Sequence, residues 1–329
     1  MHRLIVTATV LLLSATACAE KEPAKESMAE PTIAEPTNEF ITLGTIAGPV
    51  SNANRAQPAN ALTVNDDLYL VDAGDGAIGQ LAKVGYRVDD VDGLFISHLH
   101  FDHTGGVLAL LGLQSQINAK KALKVYGPPG TKIFIDGLVA GMEPIMGAAF
   151  GMPNRSWKAL VEVEEVVQGS TIELAGLTVH VAENSHFAIP EQSGLPEKAK
   201  SLSFRFDLEN RSIVYTGDTG PSEALEKLAE GADLLVSEMM DIDAILVEIL
   251  GNNPNMPKRQ YAGVEWHLRA HHLLPVQVAE LASKAGVKNL VVTHMSPNVA
   301  TAEMAKQYLD EIAEVYDGPA VIADDLDRF

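Results

Sequence analysis

The sequence predicts one α/β domain over residues 40–329, with its strands in two sheets. Short runs that are apolar, or that alternate apolar and polar residues, recur between Gly, Asn and Asp turns, which is typical of strands. Segments with helical periodicity, such as Pro275–Ala285, separate some of these runs. The chain has 329 residues and is 47% hydrophobic, so it can bury a substantial core. No internal repeat or second folded domain is indicated.

Residues 1–17 predict a signal peptide. Arg3 precedes the apolar run Leu4–Leu13, which is too short to span a bilayer, and Ala15-x-Ala17 fits cleavage after Ala17. Cys18, the only cysteine, lies where a bacterial lipoprotein carries its lipid. We therefore expect export to the periplasm as a lipoprotein whose only membrane contact is the lipid at Cys18. Simple secretion is the alternative, because a larger aliphatic residue is more usual at the position of Ala15.

Residues 18–39 predict a flexible tether. They repeat Glu, Pro, Ala and Lys and contain hardly any large apolar side chain, so they cannot bury enough surface to offset the entropy of ordering. A terminal helix is the alternative, and Pro23, Pro31 and Pro36 interrupt it.

The chain is strongly acidic, with a formal net charge of −20 at pH 7. The first 39 residues account for little of this charge, so the domain itself repels polyanions and lacks the basic surface that drives nucleic-acid binding. Lys120-Lys121 and Lys258-Arg259 are isolated pairs that need no partner. We therefore do not expect a nucleic-acid substrate.

The first half of the domain begins with a predicted hairpin that has its turn at 65–67. Asp72 ends this hairpin, and the Gly-Asp-Gly turn after it opens a helix. The predicted elements, in order, are strands 61–64 and 68–71, helix 77–84, strand 93–96, helix 107–113 and strand 123–126. Residues 137–157 are irregular, and predict either a lid or an amphipathic core helix broken by Pro144 and Gly147.

The second half repeats the strand pattern, and we assign its first five strands to a second sheet. These are strands 160–167, 171–174, 177–181, 202–206 and 212–215. A buried strand over 232–237 then leads to Glu238. The remaining predicted elements are helix 275–285, strand 289–293, helix 302–316 and strand 320–322.

Residues 97–106 read Ser-His-Leu-His-Phe-Asp-His-Thr-Gly-Gly and carry four metal-binding side chains directly after an apolar run. In an extended segment His98 and His100 point to the same side, so their imidazoles can converge on one cation. The turn that follows directs Asp102 and His103 towards a second position. Imidazole and carboxylate donors without thiolate suit zinc, and also manganese or iron. The spacing predicts two adjacent metal ions and hydrolysis assisted by them through a bridging hydroxide.

This His-x-His-x-Asp-His run resembles the signature of the metallo-β-lactamase superfamily. Later segments resemble its other ligand-bearing motifs in the same order, namely Asn184–Phe187, Tyr215–Thr219 and Val291–His294. The resemblance implies a four-layer αββα sandwich with two Zn²⁺ ions. It implies that one metal is bound by His98, His100 and His186, that the other is bound by Asp102, His103 and His294, and that Asp218 bridges them. Asp72 could orient a ligand histidine, or it could be a turn aspartate.

The C-terminal third resembles the ribonuclease Z-like branch of that superfamily. The resemblance rests on Thr216–Thr219, the strand ending in Glu238, His272 before a helix, and the segment Lys124–Gly130. It implies that His272 contacts the cleaved group and that Glu238 holds His272. A histidine held by a buried carboxylate can protonate a leaving oxygen. We therefore expect His272, Glu238 and Asp102 to be catalytic, with His271 as the competing histidine.

Exported arylsulfatases of the same fold are a narrower resemblance, through the ending Tyr316–Leu326. The basic arm that long ribonuclease Z chains use to grip tRNA has no counterpart here. We therefore expect an exported dinuclear zinc hydrolase of small sulfate or phosphate esters. The alternatives are a β-lactamase or lactone hydrolase, a ribonuclease Z-type endonuclease, and a tethered metal-binding protein without turnover.

Overall fold

The structure is a computed structural model that describes residues 38–117, 119, 121–146, 159–189, 199–298 and 301–329. The predicted signal peptide, Cys18 and nearly all of the predicted tether lie outside the described residues, as does the second half of the irregular stretch 137–157. Among the described residues, no helix has the length and hydrophobicity needed to cross a bilayer.

The first sheet contains six strands in the order β1-β2-β3-β4-β5-β6. The predicted hairpin is confirmed, because β2 and β3 pair antiparallel on either side of the turn at Asn65. From β3 onwards the neighbouring strands are parallel. The strands are β1 (Phe40–Gly44), β2 (Ala59–Val64), β3 (Asp67–Ala73), β4 (Val91–Phe95), β5 (Leu123–Gly127) and β6 (Val161–Glu165).

The second sheet contains seven strands in the order β13-β12-β11-β10-β9-β8-β7. Strands β7 to β10 form an antiparallel meander, and β11, β12 and β13 add in turn as parallel neighbours. The strands are β7 (Thr171–Leu174), β8 (Leu177–Glu183), β9 (Leu202–Leu208), β10 (Ser212–Tyr215), β11 (Leu234–Met240), β12 (Leu290–Ser296) and β13 (Ala320–Ile322). A two-residue turn joins β7 to β8. Its second residue, Gly176, has a φ of 72°, the left-handed conformation that tight hairpin turns require.

One predicted strand was assigned to the wrong sheet. The run predicted over 160–167 forms β6, but β6 pairs in parallel with β5 and therefore belongs to the first sheet. Its pattern of alternating Val and Glu is that of an edge strand with one solvated face, and an edge strand of either sheet would show the same pattern. The sequence therefore predicted the strand but could not predict its partner.

Nine helices are described, and those predicted after the Gly-Asp-Gly turn, after the metal motif and at 275–285 are confirmed. Pro275 opens α8 and Gly286, with a φ of 62°, follows it, which are the residues that favour a helix start and stop. The helices are α1 (Ala77–Lys83), α2 (Phe101–Thr104), α3 (Val107–Gln116), α4 (Thr131–Met146), α5 (Glu223–Leu228), α6 (Ile242–Asn252), α7 (Lys258–His271), α8 (Pro275–Ala285) and α9 (Ala302–Ala313).

The two sheets pack face to face and carry helices on their outer faces, so the predicted four-layer αββα sandwich is confirmed. The central core joins both sheets through aromatic residues, and Phe95 packs at 5.0–5.6 Å from the rings of Tyr126, Phe204 and Phe206. A second apolar cluster lies between the first sheet and α1, α3 and α4. A third lies between the second sheet and α5, α8 and α9. This packing holds the strand ends of the two halves next to each other.

Candidate metal centre

The seven predicted metal ligands lie together where four strands deliver them. β4 ends at Phe95, and the loop and short helix α2 after it carry four of the ligands. One ligand follows β8, one follows β10 and one lies inside β12. The ligands are His98, His100, Asp102, His103, His186, Asp218 and His294.

These side chains form two clusters that share Asp218, and each cluster has one donor atom per residue within 4.8 Å of the others. The first cluster contains His98, His100, His186 and Asp218, and the second contains Asp102, His103, Asp218 and His294. The structure therefore brings together the two sets that the resemblance implied, with Asp218 between them.

Several buried donor atoms in these clusters have no hydrogen-bond partner among the described residues. They are the Nε2 atoms of His98, His103 and His294, Oδ1 of Asp218, and Nδ1 of His294. A buried polar atom without a partner costs free energy, and native proteins satisfy nearly all such atoms. Cations at the two clusters would satisfy the three Nε2 atoms and the Asp218 oxygen, so the residues present fit a dinuclear metal centre.

The distances between donor atoms also fit shared cations. His186 Nε2 lies 3.2 Å from His100 Nδ1 in the first cluster. Asp218 Oδ1 lies 3.1 Å from His103 Nε2 and 3.0 Å from His294 Nε2 in the second. Two donors bound at about 2.0–2.1 Å to one tetrahedral zinc stand roughly 3.3 Å apart. The side chains are therefore already placed for metal binding.

Asp72 orients a histidine of each cluster. Its carboxylate is fully buried and accepts hydrogen bonds from His103 Nδ1 at 2.8 Å, from Ser97 N and Oγ at 2.7 Å, and from the Tyr215 hydroxyl at 2.8 Å. Because Ser97 Oγ donates to Asp72, it can accept from His98 Nδ1, 3.1 Å away. Both imidazoles then turn their Nε2 lone pairs towards the metal positions. Of the two interpretations of Asp72, the structure favours the orienting one.

Burial keeps the imidazoles of the first cluster neutral. It lowers the pKa of His98 well below its usual value and lowers that of His186 to about 3. Burial also acts to lower the pKa of His103, but the carboxylates of Asp218 and Asp72 outweigh it and raise that pKa. A neutral imidazole has a free lone pair for a cation, and a cation at the second cluster would replace the proton that His103 attracts.

His272 is held by Glu238, as the resemblance implied. Its Nδ1 lies 2.9 Å from Glu238 Oε2, and Glu238 Oε1 also accepts from Thr219 N at 2.6 Å. Burial acts to lower the pKa of the His272 imidazole, but the Glu238 carboxylate outweighs it and raises that pKa. His271 points elsewhere, because its Nε2 lies 2.9 Å from the Ala188 carbonyl oxygen. The geometry therefore selects His272 over His271 at the metal centre.

Two residues of the centre have positive φ angles at irregularities of strand pairing. Asp72 has a φ of 58° and is skipped where the pairing of β3 with β2 shifts register. His294 has a φ of 47° and is skipped where β12 shifts against β11. Residues with a Cβ rarely adopt this conformation, and a bulge redirects a side chain out of the strand alternation. The bulge at His294 turns its imidazole towards the metal positions, and the bulge at Asp72 turns its carboxylate towards the ligand His103.

A cavity of about 390 Å³ opens onto the clusters. Its lining includes the ligands His100, Asp102, Asp218 and His294 together with His272. A second cavity of about 350 Å³ lies beside it around Arg55 and Asp75, but none of the seven ligands lines it. We therefore place substrate binding in the first cavity.

Sequence reasoning missed His267, which lines the metal-site cavity from α7. Its Nδ1 lies 2.8 Å from His271 Nδ1. Because His271 Nε2 can donate to the Ala188 carbonyl oxygen, His271 Nδ1 is left to accept from His267. Burial lowers the pKa of His267 to about 4, which leaves a neutral ring with Nε2 as an acceptor. The spacing of His267 and His271 by four residues was the only signal in the sequence.

Comparisons with known proteins agree with this site. Residues 68–295 match the family described as the beta-lactamase superfamily domain. Ribonuclease Z from Mycobacterium sp. (strain KMS) is 30% identical over 293 residues, which cover 88% of this chain and 95% of that protein. The metallo-beta-lactamase fold protein YhfI from Bacillus subtilis has a similar fold, with a TM-score of 0.64 and 17% sequence identity over 88% of this chain and 98% of that one. The short form of human tRNase Z also has a similar fold, with a TM-score of 0.61 and 20% identity over 88% of this chain and 98% of that one.

The αββα sandwich and the two donor clusters define a metal-dependent hydrolase. The chain belongs to the metallo-β-lactamase superfamily and is ribonuclease Z-like. The solved structures are less than 25% identical and support the fold alone.

Proposed function

We propose that this hydrolase is a ribonuclease Z-like phosphodiesterase that uses two zinc ions. The observation that carries the proposal is that both donor clusters and the His272–Glu238 pair meet at one cavity. The 30% identity to a ribonuclease Z supports phosphodiesters over other esters. The absence of thiolate among the donors supports zinc, with manganese or iron as alternatives.

When bound, the two cations would activate water and neutralise charge on the phosphoryl oxygens. The chain supplies the remaining functions. Asp218 and the six other ligands would hold the two cations, and Asp102 is itself held by a hydrogen bond from Gly48 N, 2.9 Å from its Oδ2. His272 donates a proton to the leaving oxygen, and Glu238 keeps its imidazole aligned and charged for that step.

Two kinds of phosphodiester substrate are candidates, an RNA and a small ester. The ribonuclease Z relatives favour an RNA, and the human structure is that of a tRNase Z. The charge of −20 and a cavity lining that contains no Lys or Arg among the described residues favour a small ester. The sulfate esters expected from the likeness to arylsulfatases gain no support from the relatives reported above, and remain an alternative, as do lactones and β-lactams.

We also keep export as a proposal, with a signal peptide over 1–17 and a lipid on Cys18 at the start of the tether 18–39. Metabolic labelling with palmitate tests it, and Cys18→Ser should abolish the label. Secreted protein without label would favour cleavage after Ala17, and protein that stays in the cytoplasm would exclude export.

The function is tested on zinc-loaded protein lacking residues 1–39, with and without a chelator. Initial rates are compared on a tRNA precursor with a 3′ trailer, an aryl phosphodiester, an aryl sulfate, a lactone and a β-lactam. We expect the chelator-sensitive rate to be highest on a phosphodiester, and the RNA and aryl diester arms separate the two kinds of substrate. A dominant rate on the sulfate, the lactone or the β-lactam would contradict the proposal.

A further inference from the structure

We propose that Phe101 binds a flat aromatic group that the substrate carries beside its scissile phosphodiester bond. This inference rests on the proposed function and adds a class of substrate to it. Phe101 lies between the ligands His100 and Asp102 and lines the metal-site cavity, yet 77% of its surface is exposed. An aromatic ring is among the largest apolar groups that a protein can bury, and an exposed ring beside a reaction centre is available for binding.

The surroundings of Phe101 favour an apolar partner. Pro49, Met240 and Leu268 line the same cavity, and Gln57 and His267 are the polar residues of the lining that have no metal or proton-transfer role. No Lys or Arg contributes to this lining in the described part of the chain. Groups beyond the phosphoryl centre would therefore be held by ring stacking and apolar contact, including contact with the Met240 thioether, rather than by cationic side chains.

The backbone of Phe101 is anchored next to the metal-binding residues. Phe101 is the first residue of α2, and its two neighbours in sequence are ligands. The ring packs against Gly105. A Cβ atom at that position would lie 3.1 Å from Phe101 Cε1, so the absence of a side chain there makes room for the ring. A ring anchored beside the reaction centre can contact one substituent of the phosphodiester.

Two diesters with one leaving group test the inference on the zinc-loaded protein. Phenyl 4-nitrophenyl phosphate and ethyl 4-nitrophenyl phosphate both release 4-nitrophenol, and differ only in the group that is retained. We expect the ratio of kcat/KM for the phenyl ester to that for the ethyl ester to fall roughly 3- to 10-fold in Phe101→Ala. Phe101→Leu should lose less, because it keeps an apolar contact. Ile133→Ala removes an equally exposed side chain, 79% exposed on α4 and away from the cavity, and should leave the ratio unchanged.

Binding provides a readout that does not depend on turnover. The preference for phenylphosphonate over methylphosphonate in calorimetric Kd should fall in Phe101→Ala by the same factor. A nucleoside 4-nitrophenyl phosphate, added as a third ester, identifies the ring as a nucleobase if Phe101→Ala penalises it more than the phenyl ester. If it is penalised less, the ring is a small aryl group.

The inference is overturned if Phe101→Ala hydrolyses the esters with an unchanged phenyl-to-ethyl ratio and retains the unaltered phosphonate preference. Failure of the proposed function gives a different result. In that case the unaltered zinc-loaded protein would show no chelator-sensitive hydrolysis of any of the three diesters.

Discussion

At the scale of single residues, Asp72 has the widest influence on the metal centre. One carboxylate accepts hydrogen bonds from Ser97, His103 and Tyr215, and through Ser97 it also reaches His98. These groups come from both sheets. Its removal would therefore disturb a ligand of each cluster without removing a ligand.

We expect Asp72→Asn to weaken zinc binding by roughly 10- to 100-fold, because an amide cannot accept from all of these donors. Competition with a chromophoric chelator measures the affinity. Asp75→Asn is the matched control, since Asp75 is exposed in the next turn. Equal zinc affinities in the two variants would show that Asp72 does not orient the ligands.

His272→Ala should leave both zinc ions bound and lower turnover on the aryl diester by roughly 10²- to 10⁴-fold, because a positioned general acid is lost. Metal analysis and initial rates measure the two effects separately. His180→Ala, which removes an imidazole that is 42% exposed on β8, is the control. Unchanged turnover in His272→Ala would mean that another group protonates the leaving oxygen.

The sequence predicted the seven ligands because their signal is local. Four of them lie within six residues, and each of the others lies in or shortly after a strand with a recognisable pattern. Ser97 and Tyr215 lie inside the recognised motifs, but no pattern indicated their roles, and His267 was marked only by its spacing of four residues from His271. Their importance depends on which side chains the folded sheets bring beside them, and sequence spacing does not record that.

At the scale of elements, irregular strand pairing places two of the functional groups. The bulges at Asp72 and His294 could not be predicted, because a strand with one unpaired residue reads like a regular strand. The same limitation explains β6, which was predicted as a strand but assigned to the wrong sheet. Helices α6 and α7 were also not predicted, although α7 supplies Leu268 and His267 to the cavity.

Backbone strain at His294 should be measurable in the metal-free protein. His294→Gly and His294→Ala both remove the ligand, but only glycine adopts a φ of 47° without steric cost. We expect the glycine variant to have the larger free energy of unfolding in urea, by about 1 kcal/mol.

The same pair of substitutions at Thr293, which keeps regular pairing with Glu238, is the control. There alanine should be the more stable residue, by roughly 0.5–1 kcal/mol. If alanine were also the more stable residue at position 294, the bulge would not be strained.

At the scale of the whole molecule, residues near the C-terminus connect the β1–β2 loop to helix α1. Asp325 accepts hydrogen bonds from Thr45 Oγ1, Ala56 N and Gln80 Nε2 at 2.6–2.7 Å. Arg55 bonds Asp324 and the Ala323 carbonyl oxygen. The ending Tyr316–Leu326, on which the expected likeness to arylsulfatases rested, therefore has a structural role here, and none of its residues lines the metal-site cavity.

Asp325→Ala should lower the free energy of unfolding by about 2–3 kcal/mol, because three donors lose a charged acceptor. Urea denaturation followed by circular dichroism measures the change. The exposed Asp317 provides the control variant Asp317→Ala. Identical denaturation midpoints would show that the C-terminal segment adds little to stability.

The segment after Asp325 meets the beginning of the described domain. Phe40 and Phe329 exchange backbone hydrogen bonds of 3.0 and 2.9 Å, and Arg328 pairs with Glu39. The two ends of the described domain therefore lie side by side and are joined by backbone hydrogen bonds. Its geometry meets the requirement for circular permutation, with the exposed turn Glu209–Asn210 as a place to open new ends. A permuted chain would keep the spatial arrangement of the ligands and change the order in which they are synthesised.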